Sequence, residues 1–121
     1  MAKILVVDDE RNLLKLYQQE LQDDGHDVSI AVSAREGLRC FEENRPDLIV
    51  LDIRLPDMDG LEAIEHFMAV GRRVPVIFNT AYPGFRDNYL SWLADAFVDK
   101  SSDLGELKRT IKELLHGRAA A

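Results

Sequence analysis

Leu48-Ile49-Val50-Leu51-Asp52-Ile53-Arg54-Leu55-Pro56-Asp57-Met58-Asp59-Gly60 is the stretch that decides the fold. Its first four residues are apolar without alternation, as in a strand covered on both faces, and such strands belong to parallel sheets sandwiched between helices. The run stops at an acid, and the loop that follows carries Pro56 and Gly60. Three more short apolar runs deliver polar groups in the same way. Ile4-Leu5-Val6-Val7 leads to Asp8-Asp9, Val76-Ile77-Phe78-Asn79 to Thr80, and Ala96-Phe97-Val98-Asp99 to Lys100. As parallel strands, these runs bring three carboxylates, a hydroxyl and an ammonium to one edge of one sheet. The carboxyl ends of the strands are where open α/β sheets bind ligands.

The segments between the strands have helical period. Residues 10–23 place Leu13, Leu14, Tyr17 and Leu21 on one face, and Gly25 is a helix stop. Residues 27–32 alternate as an edge strand does. Ser33-Ala34-Arg35-Glu36 is a capping box opening a second helix, with Ala34, Leu38 and Phe41 facing inward, which Asn44-Arg45-Pro46 ends. A third helix carries Leu61, Ile64, Phe67 and Met68, and a short aromatic fourth covers Gly84 to Leu93. Its Tyr89 and Trp92 pack in the core or lie on a partner-binding face. Asp103 caps a final helix with Leu104, Leu107, Ile111, Leu114 and Leu115 inward. Repeated strand–helix units predict a doubly wound parallel sheet with right-handed crossovers. Residues 1–117 are expected to form a single domain, and residues 118–121 a disordered tail or linker stub.

A chain of 121 residues is about one domain. With 46% hydrophobic and 31% charged residues it has the composition of a globular protein. A net charge of −7 argues against direct nucleic-acid binding by this domain, which needs a positive footprint. The single cysteine, Cys40, cannot form an internal disulfide and suits a reducing compartment. No apolar stretch approaches the ~20 residues of a membrane helix, and Met1-Ala2-Lys3 leads straight into a strand. The expectation is a cytoplasmic chain with no signal peptide and no membrane partner. The three histidines have no metal-ligand spacing, so a zinc site is not expected.

Each polar strand-end residue also has a plain structural reading. Asp8 or Asp9 can cap the first helix, Asp52 can be a solvated acid, Lys100 a surface cation and Thr80 a strand residue. Together they point to a divalent cation and a phosphoryl group. Carboxylates in one crevice repel unless a cation compensates, and Mg²⁺ supplies that charge while keeping room for water or phosphate. A carboxylate such as Asp52 can form a covalent phosphoryl intermediate, with fixed cations stabilising the transferring group.

The combined pattern resembles the receiver domain of two-component response regulators. The resemblance rests on Leu5-Val6-Val7-Asp8-Asp9-Glu10, on Asp52 with Leu55-Pro56-Asp57-Met58-Asp59-Gly60, on Asn79-Thr80-Ala81-Tyr82, and on Phe97-Val98-Asp99-Lys100. It implies a flavodoxin-like (βα)5 fold, strand order 2-1-3-4-5, and Asp52 as acceptor of a phosphoryl group from a sensor histidine kinase. It implies Mg²⁺ held by Asp9, Asp52 and the backbone carbonyl of Arg54, with Asp8 acting through water. Thr80 and Lys100 would contact the phosphoryl group, and Thr80 and Phe97 would form a switch controlling an output domain, a protein partner or a homodimer. The chain would then be a phosphorylation switch, not a turnover enzyme.

The sequence departs from the family after Lys100, where a Pro joined by a cis bond is usual and Ser101 stands instead. The stretch from Thr80 to Lys100 is also slightly short. Arg54 and Tyr82 are bulky groups at positions bordering the family's hydrolytic water path, which predicts slow self-dephosphorylation. Among other classes, a Mg²⁺-dependent aspartyl-phosphate phosphohydrolase would want an acid where Arg54 stands. A flavin carrier would want a Gly-rich phosphate loop in place of Asp8-Asp9-Glu10. A receiver-like scaffold that takes no phosphate would not need every site position filled.

Overall fold

The structure is a computed structural model that describes residues 2–70, 73–81, 94–100 and 104–120. The run Leu48–Leu51 is strand β3, buried at every position. It is the middle strand of a five-stranded sheet with β1 (Lys3–Val7), β2 (Asp27–Ala31), β4 (Val76–Thr80) and β5 (Ala96–Asp99). The order is β2-β1-β3-β4-β5 and every pairing is parallel. Val7 lies opposite Leu51, and Thr80 opposite Asp99, so neighbouring strands reach the carboxyl edge level with one another.

Four helices occur among the described residues: α1 (Arg11–Asp23), α2 (Ala34–Asn44), α3 (Gly60–Ala69) and α4 (Gly105–Ala120). Leu14, Tyr17 and Leu21 of α1 and Leu107 and Ile111 of α4 cover one face of the sheet, against Val6, Val50, Ile77 and Val98. Phe41 of α2 and Ile64 and Phe67 of α3 cover the other, against Val7, Leu51 and Phe78. Two apolar layers thus bury the sheet from both sides, which is why β3 is uniformly apolar. Each large side chain removed from water this way contributes about 1.5–3 kcal/mol. The ion pair of Lys108 with Glu20, at 3.2 Å, bridges α4 and α1 at the rim.

Local chemistry sets the helix ends. Ser33 Oγ accepts the Glu36 amide at 3.2 Å, as the capping box predicts, and the Glu36 carboxylate turns back to the Val32 amide at 3.4 Å. Gly25 follows α1 with φ +95°, a conformation that glycine adopts without a Cβ clash. Asp59 caps α3 by accepting the Glu62 amide at 2.8 Å. Neither Asp8 nor Asp9 is the N-cap of α1. Glu10 holds that position with no side-chain cap bond. Asp8 Oδ1 instead accepts the amide of Glu10, at 2.9 Å, just before the helix.

Thr80, expected just past its strand, is the last residue of β4. Helix α4 extends to Ala120, through Ala119, a residue of high helix propensity. The expected fourth helix from Gly84 to Leu93, Tyr82, the Lys100–Ser101 bond and the Asp103 cap lie outside the described residues. No described helix is long and apolar enough to cross a membrane.

Candidate functional site

In a sheet of this order the winding reverses between β1 and β3, with β2 added on one side and β4 and β5 on the other, and the crevice there is the expected ligand site. Asp8 follows β1 and Asp52 follows β3, so both stand at that crevice. Backbone bonds fix them in place: the Asp8 amide donates to Ala31 O and the Asp52 amide to Val7 O, each at 3.0 Å. Asp8 is 2% exposed and Asp52 5%. Asp9 is exposed beside them. One carboxylate oxygen from each of the three lies within 4.8 Å of the others.

Lys100 enters from the end of β5. Its Nζ lies 2.8 Å from Asp8 Oδ2, 3.0 Å from Asp52 Oδ2 and 3.8 Å from Glu10 Oε1. Its own amide donates to Thr80 O at 2.9 Å, which ties the ends of β4 and β5 together. Burial alone would lower the Lys100 pKa; the carboxylates of Asp8 and Asp52 reverse this and hold it above the ordinary lysine range, firmly protonated. Burial pushes the Asp52 carboxyl up, against the pull of Lys100 and the Arg54 amide. The net rise comes first from the loss of water around the carboxylate, with the Asp8 charge adding to it.

The loop after Asp52 is shaped by close contact. Arg54 pairs with Asp59 across the loop as an isolated antiparallel bridge, and its amide faces Asp52 Oδ1 at 3.4 Å. A Cβ on Gly60 would lie 2.5 Å from Asp52 O and 2.7 Å from Ile53 Cα. Only glycine lets α3 start against the backbone of the acid. Asp57 reaches across to α2, where its two oxygens accept the amides of Ala34 and Arg35, each at 2.9 Å.

Asp8, Asp9, Asp52 and Lys100 thus gather in one crevice. Thr80 is 1% exposed and borders it through the backbone bond to Lys100. Phe97 is half-buried and stacks obliquely on Phe78, ring centroids 5.4 Å apart. It lies opposite Phe78 in register, so it shares a sheet face with Thr80. Arg54 is exposed at the rim. Sequence reasoning missed two features. Asp57 gave no signal, because its partners are 22 and 23 residues away. Asn79 did give one, an amide inside an otherwise apolar buried strand. A separate cavity of about 130 Å³, lined by Lys3, Asp27, Ser29, Cys40 and Asn44 among others, opens at the opposite edge of the sheet, away from the acids.

The fold and this crevice define a doubly wound α/β protein with an acidic, lysine-bridged site at its topological switch point. The response regulator receiver domain family matches residues 4–112, and the chain belongs to that family, which is one of signalling domains. The transcriptional regulatory protein PrrA of Mycobacterium tuberculosis is 37% identical over 120 residues, covering 98% of this chain and 52% of PrrA. The chain spans about half the length of the curated relatives it matches. The crystal structure of response regulator TrrA from Thermotoga maritima in complex with Mg²⁺-BeF is 38% identical, with a TM-score of 0.89, over 94% of this chain and 99% of that one. TrrA in complex with histidine kinase ThkA matches at 39% identity and a TM-score of 0.88, over 95% and 99%.

Proposed function

We propose that Asp52 accepts a phosphoryl group from a phosphohistidine on a sensor histidine kinase, and that the phosphorylated chain changes its affinity for an output domain or partner. The observation that carries this reading is the 3.0 Å bond between Lys100 Nζ and Asp52 Oδ2 in a crevice of three carboxylates. TrrA, the similar regulator seen with Mg²⁺-BeF and with its kinase, supports it.

The donor set fits Mg²⁺: oxygens from Asp8, Asp9 and Asp52 within 4.8 Å, and a hard cation that takes oxygen ligands. Asp9, Asp52 and the Arg54 carbonyl would hold it, with Asp8 acting through water. Bound there, it would neutralise acid charge and stabilise negative charge on the transferring phosphoryl group. In the transfer, an Asp52 carboxylate oxygen attacks phosphorus and forms the acyl phosphate as the P–N bond breaks. The imidazole leaves with the bonding pair. The Lys100 ammonium, a mobile point charge, passes from the Asp52 carboxylate to the new phosphoryl oxygens. The Thr80 hydroxyl donates to the same group, and Phe97, on the same face, follows its movement. Phosphorylation adds about −1.5 to −2 charges and three acceptor oxygens, which bias a two-state element at the end of β4.

The domain unit would be residues 1–117, with 118–121 leading away from it. The chain would act as a phosphoacceptor in the cytoplasm and not as a turnover enzyme. Arg54, two residues after Asp52, stands where a phosphohydrolase would want an acid. The test is labelling by acetyl phosphate with Mg²⁺, read by intact mass. The wild-type chain is expected to gain one phosphoryl group and Asp52→Asn none, whereas labelling that persists in Asp52→Asn would sink the assignment.

A further inference from the structure

Strand β4, Val76-Ile77-Phe78-Asn79-Thr80, is buried at every position. Asn79 is 2% exposed and lies opposite Val98 of β5. Its Nδ2 donates to Tyr17 Oη of α1 at 2.8 Å, a bond buried between the sheet and the helix. Its Oδ1, equally buried, has no hydrogen-bond partner among the described residues. An amide in this position weakens the packing unless both ends are paired, and an apolar residue of similar volume would carry no such penalty.

The half-paired amide is next to the functional site. Thr80 follows it directly, and the Thr80 carbonyl accepts the Lys100 amide. Burial keeps the Tyr17 phenol protonated, above its ordinary range, and the charges of Lys100, Asp8 and Asp52 reach it too. A shift of Thr80 moves the backbone of Asn79 with it and changes what Oδ1 can meet.

We propose that Asn79, anchored at one end by Tyr17, is a positioning residue that destabilises the resting setting of β4 and eases rearrangement of Thr80 around a phosphoryl group. This rests on the phosphoacceptor reading of Asp52. The unpaired acceptor raises the resting packing relative to any packing that pairs it. A ligand that selects the second packing therefore binds more tightly by the same factor.

Two variants of the full chain test this, with beryllium fluoride and Mg²⁺ as the phosphoryl mimic in calorimetric titration and melting curves without ligand. Asn79→Leu removes the unpaired oxygen together with the Tyr17 bond, so its Tm reports the balance of the two, and it is expected to weaken beryllofluoride binding about tenfold. Tyr17→Phe strips the amide of its remaining partner and is expected to lower Tm and tighten binding severalfold. A purely structural pair would shift Tm and leave binding unchanged. That result, or a shift in either variant opposite to the one expected for it, overturns the inference while the functional reading stands. If Asn79→Leu does not fold, the Tyr17→Phe titration decides. A wild-type chain that binds no beryllofluoride overturns the functional reading, and this inference with it.

Discussion

Lys100 does two jobs that depend on the same charge. It neutralises the buried Asp8 and Asp52 at 2.8 and 3.0 Å, and it is the cation placed to meet a phosphoryl group on Asp52. Lys100→Met leaves two buried carboxylates facing one another without a cation. Breaking a buried pair from one side costs about 3 kcal/mol, so urea unfolding at neutral pH without metal should show a loss of that order. Mg²⁺ should restore much of it, as should acidification that protonates one of the acids. Gly60 is a residue of a different kind, needed for the side chain it lacks. A Cβ there would meet backbone atoms of Asp52 and Ile53, which cannot swing aside as a side-chain tip can. Gly60→Ala is expected to destabilise the chain by about 1–3 kcal/mol, and to slow phosphoryl uptake by displacing the acid, both measurable on one preparation. Asp52, Asp8 and Lys100 were legible in the sequence because each ends a short apolar run. Gly60 was legible as a turn residue, but its close approach to Asp52 emerges only when α3 is seen against the loop.

Among the elements, the clasp between the loop after β3 and the start of α2 matters most to the site. Asp57 supplies both oxygens of its carboxylate to two amides at a helix N-terminus, a placement that the helix dipole also favours. The little water it loses works to raise its pKa, but the Ala34 and Arg35 amides outweigh this and hold the carboxyl below its ordinary value of 3.8. A depressed carboxyl pKa contributes stability that is present above the unfolded value and lost as pH falls through the folded one. Asp57→Ala should therefore lower stability at neutral pH, modestly because the exposed carboxylate is screened by solvent. The gap between variant and wild type should close as pH falls below 3.8, in denaturant titrations run at several pH values. The elements themselves were largely readable: β3 from its unbroken apolar run, α2 from its capping box and α1 from the spacing of Leu14, Tyr17 and Leu21. The Asp57 clasp was not, since nothing in local spacing joins it to Ala34. The reading of Asp8-Asp9 as a cap failed because Asp8 turns its carboxylate to Glu10 and Lys100.

Over the whole molecule, the sheet order places β1 beside β3, and this adjacency turns acids 44 residues apart into one site. The repeated strand–helix alternation predicted a parallel sheet with helices on both faces, and the order itself followed from the resemblance to the receiver family. What alternation could not supply was the balance of charge in the crevice, which depends on distances across the edge. That balance makes metal binding a property of the whole fold. With Mg²⁺ at one hundred times its Kd, stability should rise by about 2.7 kcal/mol. Chelation should reverse the gain, and Asp9→Asn should blunt it. The central claim is that Asp52 is the phosphoryl acceptor, and one measurement addresses it directly. The chain is treated with acetyl phosphate and Mg²⁺, reduced with borohydride, which converts an acyl phosphate to homoserine, and mapped by peptide mass spectrometry. Homoserine is expected at position 52 alone, and none when Mg²⁺ is withheld. Homoserine at Asp8, Asp9 or Asp59, or at no position at all, would contradict it.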